Sequence, residues 1–180
     1  GLGTYAADLY LTRGAHTLRI EYYENVGGAM IQFDWTQAEA PTPTPTSGLP
    51  GPVPAWYGQY FDNPDLDGNP VFVQEYTGEE LSLNWGEGSP DPSVPADYFS
   101  ARWTQSRWFS AGTYRFHLAV DDGARVWVDN HRLIRAWEDG PHDDETADMY
   151  LEQGLHTIKV EFFEATGGAR IHLWTELLGR

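Results

Sequence analysis

The stretch Leu118-Ala119-Val120-Asp121-Asp122-Gly123-Ala124-Arg125-Val126-Trp127-Val128-Asp129-Asn130 decides how this chain is read. Two runs of alternating apolar residues meet at an Asp-Asp-Gly turn. Tyr114, Phe116, Leu118 and Val120 share one face of the first run, and Val126 and Val128 share one face of the second. Such period-two alternation marks half-buried strands, because successive side chains of a pleated ribbon point to opposite sides. Asp-Gly between two such runs is a strong hairpin signal, so 113–120 and 125–128 are expected to pair as a central hairpin continued by 132–136. The adjacent carboxylates of Asp121 and Asp122 admit two readings. They repel each other, and a hard cation with oxygen ligands would relieve the repulsion. Equally, Asp is favoured in turns because its side chain accepts hydrogen bonds from nearby backbone N–H groups.

Outward from this stretch, short apolar or alternating runs recur at 56–61, 71–76, 81–85, 100–109, 149–151, 157–163 and 169–174, separated by Pro- and Gly-rich loops. No segment shows the 3.6-residue period of a helix. The expected fold class is all-β, an antiparallel sandwich of two sheets with the aromatic residues in its core.

Composition narrows the function. Formal net charge is −16 over 180 residues, which disfavours nucleic acid and anionic membrane as partners and suits divalent cations, neutral glycans or simple solubility. The absence of cysteine removes disulfides, thiolate metal sites and Cys nucleophiles. No apolar run approaches the roughly 18 residues needed to cross a bilayer, so direct membrane insertion is not expected. The chain opens on Gly1, as a mature or trimmed piece would.

A repeat organises the remainder. Ala7–Ile31 aligns without gaps on Ala147–Ile171: Gly14 meets Gly154, His16 meets His156, Glu21 meets Glu161, and Gly27-Gly28-Ala29 meets Gly167-Gly168-Ala169, at a constant offset of 140. Residues 1–37 therefore read as the closing strands of a preceding, incomplete module. Residues 55–176 read as a complete module, with 177–180 as a tail. Between them, 38–54 alternates Pro with Thr, a composition that prefers extended polyproline II and serves as a semi-rigid spacer, bare or O-glycosylated. Such a linker is of an extracellular, cell-surface type.

The complete module resembles the protective-antigen-type β-sandwich, a domain of toxins, flocculins, adhesins and β-glucosidases. The resemblance rests on Trp56-Tyr57-Gly58 with Tyr60-Phe61, on Phe99-Ser100-Ala101-Arg102-Trp103, and on Gly112-x-Tyr114-x-Phe116. It rests also on Asp121-Asp122-Gly123, Val126-Trp127-Val128-Asp129, Gly154-x-His156, Glu161, Glu164 and Gly167-Gly168-Ala169. In lectin members of that family an Asp-Asp pair, often joined by a cis peptide, ligates a calcium ion that also binds sugar hydroxyls. The resemblance thus implies calcium at Asp121 and Asp122, with backbone oxygens from Gly167 and Gly168. The second loop, Glu164-Ala165-Thr166-Gly167-Gly168-Ala169, lacks the side-chain ligand those lectins place there. Asp121, Asp122, Trp127 and Trp137 are the candidate carbohydrate contacts.

Other motifs carry less. The acidic run Trp137–Glu145 is expected to be a solvated loop, and His156 to hydrogen-bond a turn. Glu161 and Glu164 are three apart on a strand and so point to opposite faces, unlike a glycosidase pair. No catalytic motif is present, and the chain is read as non-catalytic. Two functions follow. In the first, the chain is a tandem-repeat element of a surface or filament protein. The apolar side of 1–36 (Leu9, Leu11, Leu18, Ile20, Tyr22 and Ile31) then docks on an adjacent repeat or a copy of the chain, since two or three strands alone are unstable. In the second, it is a calcium-dependent glycan-binding module.

Overall fold

A computed structural model of the chain describes residues 31–34 and 54–179, and the account that follows concerns these. They form ten strands and no helix: β1 (Ala55–Phe61), β2 (Phe72–Thr77), β3 (Leu81–Gly86), β4 (Phe99–Phe109), β5 (Gly112–Asp121), β6 (Gly123–Val128), β7 (His131–Ala136), β8 (His142–Leu151), β9 (Gly154–Glu164) and β10 (Ala169–Gly179). Two antiparallel sheets result. One has six strands in the order β2-β1-β4-β9-β6-β7 and the other four in the order β3-β10-β5-β8.

The alternation fixes which side of each strand faces in. On β4, Ala101, Trp103, Gln105 and Arg107 point inward with Phe109, while Arg102 and Thr104 point out. Across the six-stranded sheet, Gly58, Trp103, Val160, Val126 and Ile134 form one continuous inward row. Trp103 is fully buried, lies parallel to Trp85 at 6.3 Å and meets Tyr60 edge-on at 5.7 Å. Gly58 is dictated by this ring, because a Cβ there would stand 2.8 Å from the indole. From the other sheet Phe116, Leu118, Val120, Ile171 and Leu173 close the core.

The expected central hairpin does not form. β5 belongs to the four-stranded sheet and β6 to the six-stranded one, so the Asp121–Asp122 step, a cis peptide, carries the chain from one sheet to the other. The alternation was read correctly, but two strands with inward faces meet across a core as readily as they pair side by side. The true hairpin is β6–β7, whose turn holds Asp129 and Asn130 at positive φ. The acidic run is also not wholly a loop. β8 begins at His142, an exposed edge strand whose charges suit an edge that must not recruit other strands.

The repeat-derived segment lies almost entirely outside the described residues, as do Leu9, Leu11, Leu18, Ile20 and Tyr22. Residues 31–34 carry no regular secondary structure, and Ile31 is exposed at 53%.

Gly123 lies under the Phe163 ring, where an added Cβ would fall 2.2 Å from the nearest ring carbon, whereas Gly154 faces open space. Gly123→Ala should therefore lower unfolding stability by about 1–3 kcal/mol through overpacking. Gly154→Ala should leave the urea midpoint within a few tenths of a molar. Equal midpoints for the two variants would contradict this packing.

Candidate functional site

Four loops meet at the pole of the sandwich where β5 ends and β6 begins, and Asp122 holds three of them. Its carboxylate is 5% exposed; Oδ1 accepts the Gly140 N–H and Oδ2 the Ala165 N–H, each at 2.7 Å. The fourth loop enters through Asp97, whose Oδ1 accepts the Gly167 N–H at 3.1 Å, while the Tyr98 N–H donates to the Ala165 carbonyl at 3.1 Å. Gly167 sits at φ 110°, a conformation that a side chain would resist. The turn-capping reading of Asp122 is thus realised across distant loops rather than within its own.

Glu164, at the end of β9, is the residue that the sequence reading undervalued. It is fully buried, and neither carboxylate oxygen has a hydrogen-bond partner among the described residues. Burial first, then the charges of Asp122, Asp121 and Asp97, push its carboxyl up to about 7. The Asp122 N–H faces it and offsets part of that rise, short of a hydrogen bond of good geometry. Asp121 is also raised, mainly by desolvation and then by Asp122, with Arg170 opposing. Four carboxylates from three chain segments therefore gather at this pole, and their proximity contributes to raising Glu164 and Asp121.

The donor set is all oxygen, which suits a hard cation. No group of three acidic or imidazole side chains among the described residues is by itself arranged to hold a metal. Asp121, Asp122 and the two orphaned oxygens of Glu164 are the side-chain donors present, and backbone oxygens or water would have to supply the rest. The residues fit such an ion through Glu164, whose buried oxygens have no hydrogen-bond partner among the described residues.

Elsewhere the candidates separate. Trp137 belongs to the loop tied to Asp122 through Gly140; it meets Phe163 edge-on at 4.7 Å and carries the Arg125 guanidinium over its face at 3.7 Å. Trp127 lies away from this pole, on the outer face of the six-stranded sheet under Lys159. In the acidic run, Asp143 is engaged by Arg170 at 2.6 Å. His156 does hydrogen-bond a turn: Nδ1 contacts Asp129 Oδ2 at 2.5 Å and Nε2 meets the Glu152 carbonyl at 2.9 Å. Glu161 and Glu164 do face opposite sides, Glu161 lying among Arg102, Arg125 and Lys159.

The family profile of the PA14 domain matches residues 53–178. The chain belongs to the PA14 domain family. This is the protective-antigen-type sandwich that the sequence resembles. The anti-sigma-I factor RsgI3 of Acetivibrio thermocellus is 33% identical over 120 residues, 64% of this chain and 18% of that protein. An anti-sigma factor domain-containing protein from Clostridium clariflavum superposes with a TM-score of 0.61 at 31% identity, covering 68% of this chain and 42% of the other. The epithelial adhesin 9 A domain of Candida glabrata, determined in complex with Galβ1-3GlcNAc, shares the fold alone, with a TM-score of 0.51, 10% identity, and 69% and 82% coverage. The PA14 module is thus a minor part of the two anti-sigma relatives: the chain spans under a fifth of one and under half of the other.

The raised Glu164 gives a pH signature in metal-free buffer. Its unfolded form ionises near 4.5 and its folded form near 7, so between those values the native state binds the extra proton and stability falls as pH rises. Glu164→Gln should flatten this decline, raising the melting temperature more at pH 7.5 than at pH 5. A substitution that costs the same at both pH values would show that Glu164 is not the titrating group.

Proposed function

We propose that residues 54–179 form a non-catalytic, calcium-dependent glycan-binding module displayed outside the cell, with its ligand at the Asp121–Asp122 pole. The observation that carries this reading is Glu164, a buried carboxylate with two unsatisfied oxygens beside Asp121, Asp122 and Asp97. A divalent cation there would offset the repulsion and leave coordination positions open to sugar hydroxyls. Asp121 and Asp122 hold the ion from the crossing between sheets, Glu164 supplies the side-chain donor missing from the residues after it, and the Gly167–Gly168 loop leaves room for backbone approach. Trp137 borders the same pole and offers an aromatic wall. The Pro-Thr composition of 38–54 supports the location outside the cell.

Binding to the native state alone must stabilise it. Millimolar calcium should raise the melting temperature of the chain by several degrees, and Asp121→Ala/Asp122→Ala and Glu164→Gln should each shrink the shift. Glycan binding on an array should disappear in EDTA. A melting temperature indifferent to calcium removes this reading.

A second reading rests on the repeat at offset 140. Residues 1–36 duplicate the closing strands of a module, which suits a chain that links to adjacent repeats or copies of itself. Sedimentation of the full chain should then depend on concentration, and Leu18→Asp/Ile20→Asp should abolish that dependence. A chain that stays monomeric at every concentration would leave the glycan reading alone.

A further inference from the structure

The outer face of the six-stranded sheet gathers positive charge on a chain that is otherwise strongly acidic. Of 11 Lys and Arg residues in a chain of net charge −16, six lie on the neighbouring strands β4, β9, β6 and β7; Arg107 points inward and the other five (Arg102, Arg125, Arg132, Arg135 and Lys159) point outward. Cross-strand register sorts them into two parallel rows. One runs Gln59, Arg102, Glu161, Arg125, Arg135. The next runs Glu75, Tyr57, Thr104, Lys159, Trp127, Arg132, with Glu75 its one acidic member.

The charges in these rows do not cancel. Glu161 is 8% exposed and sits beneath Arg102, Arg125 and Lys159 at 3.3, 2.7 and 3.2 Å, so three cations share one carboxylate and each stays about a third exposed. Arg135 pairs at the rim with Glu138 at 3.0 Å, and Arg132 is exposed at the end of the second row. Aromatic surface alternates with the charge: Lys159 Nζ lies 3.8 Å from the centre of the Trp127 ring, and Tyr57 stands 44% exposed farther along that row, next to Glu75. Among the described residues, the β1–β2 loop and Trp137 lie over the neighbouring row, Phe61, Ser100 and Phe163; Trp137 also reaches over Arg125 of the first row, while the other members of the two rows stay partly or fully exposed.

We propose that this face is a second binding surface, independent of calcium, for a carboxylate-bearing polysaccharide of the uronic-acid class. Charge complementarity sets the sign of the ligand. The rest of the chain repels anions, and a neutral ligand has no use for a surplus of guanidinium and ammonium groups at this place. Guanidinium forks match carboxylates, and rings between them give a sugar's C–H face something to lie on. An acidic peptide would instead find the edges of β2, β3, β7 and β8, which have no outer neighbour among the described residues. The proposal takes from the previous section only that the ligand is a glycan.

The test uses the full chain in low-salt buffer with EDTA, in affinity electrophoresis through polygalacturonate or through neutral galactan. Retardation is expected in polygalacturonate only, weakening with added salt. Arg132→Gln/Arg135→Gln, which alters exposed side chains and leaves the Glu161 cluster intact, should weaken binding about tenfold, and Lys159→Gln or Trp127→Ala should weaken it further. EDTA removes calcium throughout, so retardation here does not draw on the calcium site, which separates failure of this proposal from failure of that one. Equal retardation in the neutral gel, insensitivity to Arg132→Gln/Arg135→Gln, or concentration-dependent self-association lost in that variant would each overturn it, the last by showing a second copy on this face.

Discussion

The two hydrogen bonds accepted by the Asp122 carboxylate hold the functional end of this molecule together. The Gly140 and Ala165 N–H groups belong to loops separated by more than twenty residues, and neither loop contains a regular element to fix it. Charge-assisted bonds to a buried carboxylate are stronger than those between neutral groups, so the negative charge is itself a structural requirement. That requirement creates the difficulty at Glu164. A second carboxylate is carried inward by the phase of β9, close beside the one that clasps the loops. The pole is therefore an arrangement in which structural need and electrostatic repulsion compete, and such competition is characteristic of sites prepared for a ligand.

The body of the sandwich is dominated by packing. Trp103, Tyr60, Trp85, Phe99 and Phe162 form an aromatic cluster with centroid separations between 5.7 and 6.3 Å. Around it, glycines mark where rings approach backbone. Gly58 clears Trp103 on the inner side of the sheet and Gly123 clears Phe163 on the outer side. Away from the pole, Gln105 donates to the Gly78 carbonyl, and Arg107 reaches the Glu79 carbonyl and Thr175.

Much of this could be read from the sequence, and the gaps have physical causes. Alternation and short apolar runs located most strands, because a period of two survives whatever the strand pairs with. It could not reveal that β5 and β6 part into different sheets, since an inward face is the same signal in either case. β8 was foreseen only at its apolar end, because its first residues, His-Asp-Asp-Glu-Thr, lie on an exposed sheet edge and bury nothing. At the site, Asp121 and Asp122 announced themselves by adjacency. Asp97 was invisible, being seventy residues from its partner Gly167. Glu164 was visible and misjudged: the argument that set it opposite Glu161 also implied that a carboxylate was pointing into the sandwich.

The register of the ladders also fixes where tension would pass. Phe61 at the end of β1 pairs with Ser100, beside the Asp122 pole, so Ala55 at its start lies toward the other end of the sandwich. Gly179 pairs with Thr113 at the start of β5, again remote from Asp121. Chain therefore enters and leaves the module at the same distal end. A pull applied through the flanking segments would strain the outer reaches of β1 and β10 first, while the loops clasped by Asp122 stay off the load path and keep their shape under drag.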